Sequence, residues 1–483
     1  MRLNSKQIAE FTGATVIVEA LDPSQLAFGI TWDSRDVQED FVYVALPGER
    51  VDGHDFIDEA LRKGAHIILC MQGVPESTRI LAHEMGAAIL EVSSTFSAIT
   101  DLARGWRGFI KGTVVALTGS TGKTTTKNLL RDVLATTFKV VATKGNQNNE
   151  LGVPKTLLDA NPETDFVVVE MGMRGSGQLR ELCDFVKPEI ALITNTGECH
   201  IELLGSREAI AAAKAEAVEA LPAGTGLAVL NYADDNTLFI CETAQTAKRS
   251  IRVIYFDGSG TFAAETNEGV PCVWANDIEL DGAGCAHFSL HFPGEAKALA
   301  CELGLRGVHN VSNASAVAAL AWQAGVDPAR IAEALKASAP EAGRQEILQG
   351  KGDITIINDA YNANPDSMRA SLAMFSALNV KHKRYAVLGD MGELGSFAEA
   401  CHEAVGTFAA TQKLDYLICV GELARSIARG ALEAGFPANH LVSVATRGEA
   451  LNELDTHLEP GDAVLVKASH SMELERIVRG LLA

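Results

Sequence analysis

The 483-residue chain lacks a basic excess: 41 Lys and Arg stand against 62 Asp and Glu, a formal net charge of −21. That deficit argues against nucleic acid or an anionic membrane as partner, because either requires a basic surface. Its nine cysteines form no CxxC pair and keep no regular spacing. This is the usage of reduced thiols in a cytoplasm, and not of a disulfide framework or a zinc site. No apolar run approaches the ~20 residues of a membrane span, so no membrane insertion is expected. The start, Met1 to Ala14, has no apolar signal core and reads as a short amphipathic helix. Internal repeats, heptad runs and low-complexity tracts are missing too. The expectation is a cytoplasmic globular protein, and the length is enough for about three domains.

What is present begins with one run, Val114-Val-Ala-Leu-Thr-Gly-Ser-Thr-Gly-Lys-Thr-Thr-Thr126. An apolar strand ends in a glycine loop that feeds a Lys-Thr-Thr helix start. Gly119 and Gly122 let backbone N–H groups turn inward as an anion nest, and the helix N-terminus adds positive potential. Lys123 supplies a mobile cation for β- and γ-phosphates, and the Thr124 hydroxyl is placed to touch Mg²⁺. The generic phosphate loop has a glycine where this chain has Leu117, so the loop is a variant. An acidic protein that binds an anion here must do so through local potential.

Around that run the chain reads as α/β in three domains. Residues 1–110 carry short strand candidates at Phe41–Leu46, Ala65–Cys70 and Ala87–Glu91, then a helix over Thr95–Arg107. Residues 111–339 alternate helices with strands that are apolar throughout: Val114–Leu117, Phe166–Val169, Ile190–Ile193 and Gly226–Leu230. Such strands predict a parallel sheet covered on both faces. Within that span, residues 250–305 read as an antiparallel appendage, followed by helices over Asn310–Ala324 and Asp327–Ala339. Residues 340–483 alternate again, with strands at Ile354–Asn358, Arg384–Leu388, Tyr416–Val420 and Ala463–Val466, a Rossmann-like pattern.

A phosphate loop alone fits kinases, hydrolases and ligases equally. Other residues of the central span narrow the choice. Glu170 ends an apolar strand at the carboxyl edge, where α/β ligands bind and a carboxylate suits Mg²⁺. His200 follows the next strand by a short loop, and Lys214 rides a helix capped by Ser206. No convincing Ser-His-Asp or Cys-His set accompanies them.

Several segments resemble the Mur ligase family of ATP-dependent amide-forming enzymes. They are Thr118–Thr126, Gly145-Asn-Gln-Asn-Asn-Glu-Leu-Gly-Val-Pro154, Glu170-Met-Gly172, Asn195-Thr-Gly-Glu-Cys-His200, Ala213-Lys-Ala-Glu216 and Gly307-Val-His-Asn-Val-Ser-Asn313. Asn358-Asp-Ala-Tyr-Asn-Ala-Asn-Pro-Asp-Ser-Met368 and Leu388-Gly-Asp-Met-Gly-Glu-Leu-Gly395 extend the likeness into the last domain. The resemblance implies an N-terminal uridine-nucleotide domain, a central ATP domain and a C-terminal Rossmann-like domain. It implies that D-alanyl-D-alanine is joined to a UDP-N-acetylmuramoyl-tripeptide through an acyl phosphate, in cell-wall precursor synthesis; a monomer is expected.

By matched position, the resemblance implies that Gly119, Ser120, Thr121, Gly122, Lys123, Thr124 and Thr125 hold the ATP phosphates. Thr124 and Glu170 would bind one Mg²⁺ and His200 a second, with Lys214 carbamylated to help organise metal. Asn310 and Asn313 would face adenine, Arg344 the γ-phosphate and Asp359 the ribose. Ser34, Arg35, Asp52, His54, Asn148 and Asn149 would hold the nucleotide-linked peptide. Asn362, Asn364, Lys467 and Ser469 would lie on the acceptor side. One departure stands out: the family's Lys-Gly-Ser-Arg is here Lys467-Ala-Ser-His470, and histidine lacks arginine's charged bidentate fork.

Overall fold

The computed structural model describes residues 1–48, 51–198 and 201–482. Three sheets follow one another along the chain. The first has five strands in the spatial order Thr15–Val18, Ala88–Glu91, Ala65–Cys70, Phe41–Val44 and Gly29–Thr31. All its pairings are parallel except that of Thr15–Val18.

The helix Thr95–Arg107 leads out of this unit. Ser94 caps it by accepting from Ser97 N–H at 3.2 Å, and Ala98, Ile99, Leu102, Ala103 and Trp106 form a buried stripe at helical spacing. That stripe packs against the helix Gly152–Asp159 of the central unit, and Trp106 Nε1 donates to the Ala160 carbonyl at 3.0 Å.

The central sheet has nine strands. Val140–Ala142, Phe166–Glu170, Thr113–Thr118, Ile190–Ile193, Leu227–Asn231 and Arg252–Asp257 run parallel in that spatial order. Alternate residues of the phosphate-loop strand enter different cores. Val114 and Ala116 join the one shared with the helices Gly152–Asp159, Gln178–Val186 and Arg207–Glu219. Val115 and Leu117 join the one under Lys123–Ala135 and His309–Gln323. The doubly covered parallel sheet is therefore as its apolar strands imply.

The stretch 250–305 is a partial correction. Arg252–Asp257 pairs parallel with Leu227–Asn231, and Cys272–Leu280 pairs parallel with Arg252–Asp257. Only Cys285–His291 and Leu299–Arg306 add on antiparallel. The helix Thr237–Thr243 supplies the crossover that a parallel neighbour requires, and Ile254 and Phe256 continue the core.

The third sheet orders Glu346–Gln349, Thr355–Asn358, Ala463–Lys467, Arg384–Gly389, Tyr416–Val420 and Leu441–Val444. It is parallel apart from the first of these. A short segment joining Pro328–Lys336 to Glu346–Gln349 connects it to the central unit and carries Arg344. Among the described residues no helix is long and apolar enough to cross a membrane.

Trp106→Ala removes both the indole packing and the bond to Ala160, a loss of about 3–5 kcal/mol for a large buried aromatic. The first urea transition is expected to move to lower concentration. An unmoved transition would show that the indole contributes nothing to the contact between units.

Candidate active site

The glycine loop is held in shape by the next strand's end. Asn195 accepts from Ser120 N–H through its carbonyl and from Thr121 N–H through Oδ1, both at 3.0 Å, and donates Nδ2 to Thr121 Oγ1 at 2.9 Å. Thr194 Oγ1 donates to the Thr121 carbonyl at 2.6 Å. Gly119 has φ +153° and Gly122 φ +77°; a Cβ at Gly119 would collide with Thr194 Oγ1. Lys123 folds back on its own loop, donating Nζ to the Gly119 carbonyl at 2.7 Å. The helix Lys123–Ala135 starts at Gly122 with no side-chain cap, so its first N–H groups remain directed at the loop.

Beneath the loop lies a carboxylate at the strand edge. Glu170 is fully buried. Its Oε1 accepts from Asn148 Nδ2 at 2.8 Å and from Thr124 Oγ1 at 3.2 Å. Its Oε2 has no hydrogen-bond partner and lies 3.8 Å from the Lys127 ammonium. Lys127 is itself buried and donates to the Gly145 carbonyl at 2.7 Å. Burial pulls the Lys127 pKa below the ordinary lysine value, and the charge of Glu170 opposes that pull. A hydroxyl and a carboxylate oxygen with a free lone pair are hard donors that fit a Mg²⁺ ion. Among the described residues no group of three or more His, Cys, Asp or Glu is placed to hold a metal.

The third unit closes the opposite wall. Arg344 donates Nη2 to Thr124 Oγ1 at 3.2 Å, with its guanidinium 4.1 Å from the centroid of the Tyr361 ring. His470, the histidine that replaces arginine, packs against the same ring in a tilted arrangement, with centroids 5.9 Å apart. Asp359 accepts from the buried Lys467 ammonium at 2.7 Å, from Gln345 N–H at 3.2 Å and from Ser371 Oγ. Lys467 also donates to the Asn362 carbonyl at 2.9 Å. Asn364 caps the helix Pro365–Ala377, and Ser469 Oγ accepts from Gly392 N–H at 2.8 Å.

On the central side Asn313 donates Nδ2 to Asn310 Oδ1 at 2.8 Å, and Asn310 donates to the Arg306 carbonyl at 2.7 Å. His309 beside them has its pKa lowered to about 4 by burial, against the charge of Asp359, so the ring is neutral at neutral pH.

These groups line one cleft of about 1350 Å³ between the central and third units. It takes in Ser120 to Thr125, Asn148, Asn149, Glu170, Asn310, Asn313, Arg344, Asp359, Asn362, Asn364, Lys467 and Ser469. Asn149 also serves the fold, accepting from Gly152 N–H at 3.0 Å. Lys214 is buried on the helix Arg207–Glu219 and is not part of the lining. His200 lies outside the described residues.

Ser34, Arg35, Asp52 and His54 belong to the first unit, away from this cleft. Met71 N–H donates to His54 Nε2 at 3.0 Å, which leaves the ring proton on Nδ1, 2.6 Å from Asp52. Arg35 is exposed and paired with Asp33, and the Ser34 carbonyl accepts from Lys63 at 2.9 Å. Sequence reasoning assigned no role to Asn195, Lys127 or Tyr361. Each stands in or beside a quoted motif, yet only the fold shows that Asn195 braces the loop and that Lys127 points inward.

A glycine loop between strand and helix at the carboxyl edge of a parallel sheet defines the phosphate-loop α/β class. Family models cover residues 117–321 (Mur ligase middle domain), 343–470 (Mur ligase, glutamate ligase domain) and 28–107 (Mur ligase family, catalytic domain). The UDP-N-acetylmuramoyl-tripeptide–D-alanyl-D-alanine ligase of Bacillus subtilis (strain 168) is 32% identical over 477 residues, 99% of this chain and 98% of its own. MurF from Acinetobacter baumannii superposes with a TM-score of 0.82 at 30% identity, covering 100% of this chain and 99% of that one. The MurF ligase from Thermotoga maritima, crystallised in complex with ADP, gives 0.72 at 27% identity, covering 94% and 96%. The chain belongs to the Mur ligase family.

Gly119→Ala is expected to abolish binding of an ATP analogue in calorimetry while leaving the circular dichroism spectrum unchanged. Near-normal affinity would mean that phosphates do not seat on this loop.

Proposed function

We propose that this protein uses ATP to form an amide bond between D-alanyl-D-alanine and UDP-N-acetylmuramoyl-tripeptide, in cytoplasmic synthesis of peptidoglycan precursor. One observation carries the reading: the phosphate loop, the Glu170 carboxylate and the Arg344 guanidinium of another unit meet around Thr124. Relatives that match almost the whole chain carry that ligase name.

A carboxylate has no leaving group, so one of its oxygens must first be phosphorylated. The peptide carboxylate attacks the γ-phosphorus of ATP to give an acyl phosphate and ADP, and the dipeptide amine then displaces phosphate. Both partners of the first step are anions, so neutralising charge dominates the barrier. Lys123 exchanges the loop carbonyls for phosphate oxygens, the loop N–H groups hold the β-phosphate, and Arg344 leaves Tyr361 for the γ-phosphate. No side-chain nucleophile is required.

Thr124 and Glu170 hold one Mg²⁺ and His200 a second. When bound, these ions neutralise the triphosphate and polarise its terminal group. Lys214, carbamylated, becomes an anion that helps to orient them. Asn310 and Asn313 face adenine and Asp359 the ribose. Residues 1–110 hold the uridine nucleotide through Ser34, Arg35, Asp52 and His54, with Asn148 and Asn149 towards the peptide. Residues 111–339 bind ATP, and residues 340–483 present the dipeptide near Asn362, Asn364, Lys467 and Ser469. The protein acts as a monomer.

Phosphate release is expected to need ATP, the nucleotide tripeptide and D-alanyl-D-alanine together, and Lys123→Ala to slow it roughly 10²-fold. Turnover indifferent to the dipeptide would sink the ligase assignment.

Lys214→Ala is expected to depress turnover, with partial recovery on adding short carboxylates. A rate equal to that of the unmodified protein removes Lys214 from the site.

A further inference from the structure

Lys127 is the group that the mechanism above leaves unused. It sits one turn past Lys123 in the same helix, yet its side chain is wholly buried and points down to the carboxylate edge instead of to the phosphates. Its ammonium has two neighbours: the Gly145 carbonyl at 2.7 Å and Glu170 Oε2 at 3.8 Å. The second distance is beyond a hydrogen bond, and Oε2 has no other partner. A buried carboxylate oxygen left in this state needs a nearby cation. Lys127 supplies it at 3.8 Å, without a hydrogen bond.

The same ammonium becomes a like-charged neighbour once the Glu170 carboxylate binds a divalent cation. A metal ion on this carboxylate would stand within several ångströms of that ammonium, in a buried setting where repulsion is poorly screened. The triphosphate supplies the negative charge that offsets this repulsion.

We propose that Lys127 is a positioning residue that sets the order of loading: it holds Glu170 ready but opposes a divalent ion arriving alone, so that metal is retained only together with the nucleotide. The inference rests on the assignment of Thr124 and Glu170 to a metal. It also explains why Lys127 is tied to Gly145. That residue opens the loop carrying Asn148, the donor to Glu170 Oε1, so one ammonium orients the carboxylate and its second hydrogen-bond partner together.

The test is Mn²⁺ affinity of the full chain by electron paramagnetic resonance, with and without a non-hydrolysable ATP analogue. The unmodified protein is expected to bind Mn²⁺ far more tightly with the analogue than without it. Lys127→Gln keeps a donor for Gly145 but no charge, and should bind Mn²⁺ alone at least about 10-fold more tightly, narrowing that gap. Lys127→Met should narrow it likewise, and Lys127→Arg, which retains the charge, should preserve it. An unchanged gap in the neutral variants, or a narrowed one in Lys127→Arg, overturns the proposal. A separate failure is distinguishable: if Glu170→Gln binds Mn²⁺ with the analogue as well as the unmodified protein does, the metal assignment itself is wrong.

Discussion

Glu170 stands where one chain end of the central sheet, the phosphate loop and a neighbouring loop converge, and its burial is the constraint around which the cleft is built. A carboxylate removed from water must be met by donors and by positive charge. Thr124 and Asn148 serve one oxygen, and Lys127 answers the other from 3.8 Å. Thr124 in turn accepts from Arg344, so the electrostatic demand of a single side chain reaches into the third unit. Sheet, helix, linker and loop are coupled at that point by the need to balance charge.

This local balance reconciles the ligand with the composition. A chain at −21 offers an anion no general attraction. What it offers is a confined set of positive groups: Lys123, Arg344 and the uncapped start of the helix Lys123–Ala135. Such groups act at short range inside the cleft, and water and salt screen them beyond it.

The fold was legible wherever strands are buried on both faces. Phe166–Glu170 and Ile190–Ile193 read as apolar runs because each of their sides meets a core, and helices between them leave a different period. Short or edge strands such as Val140–Ala142 and Glu346–Gln349 were not legible, since partly exposed residues leave no clear alternation. The parallel pairing of Arg252–Asp257 was hidden for another reason: direction depends on a crossover helix and not on the strand's own residues. At the site, Lys123, Thr124 and Glu170 could be found because local chemistry fixes their spacing from a glycine turn. Asn195 and Tyr361 act across the chain, on partners 74 and 17 positions away, and nothing nearby in sequence announces such pairings.

The inward fold of Lys123 has a consequence for which anions the loop retains. Its ammonium already rests on the Gly119 carbonyl, so an incoming ligand must outbid an oxygen that is covalently tethered and therefore always present. One phosphate, meeting this rival with a single group, gains little net contact. A longer polyanion that grips the loop N–H groups at one end and presents further oxygens at the other is favoured. The loop thus favours ligands with more than one phosphate, because its lysine is already bonded to its own backbone.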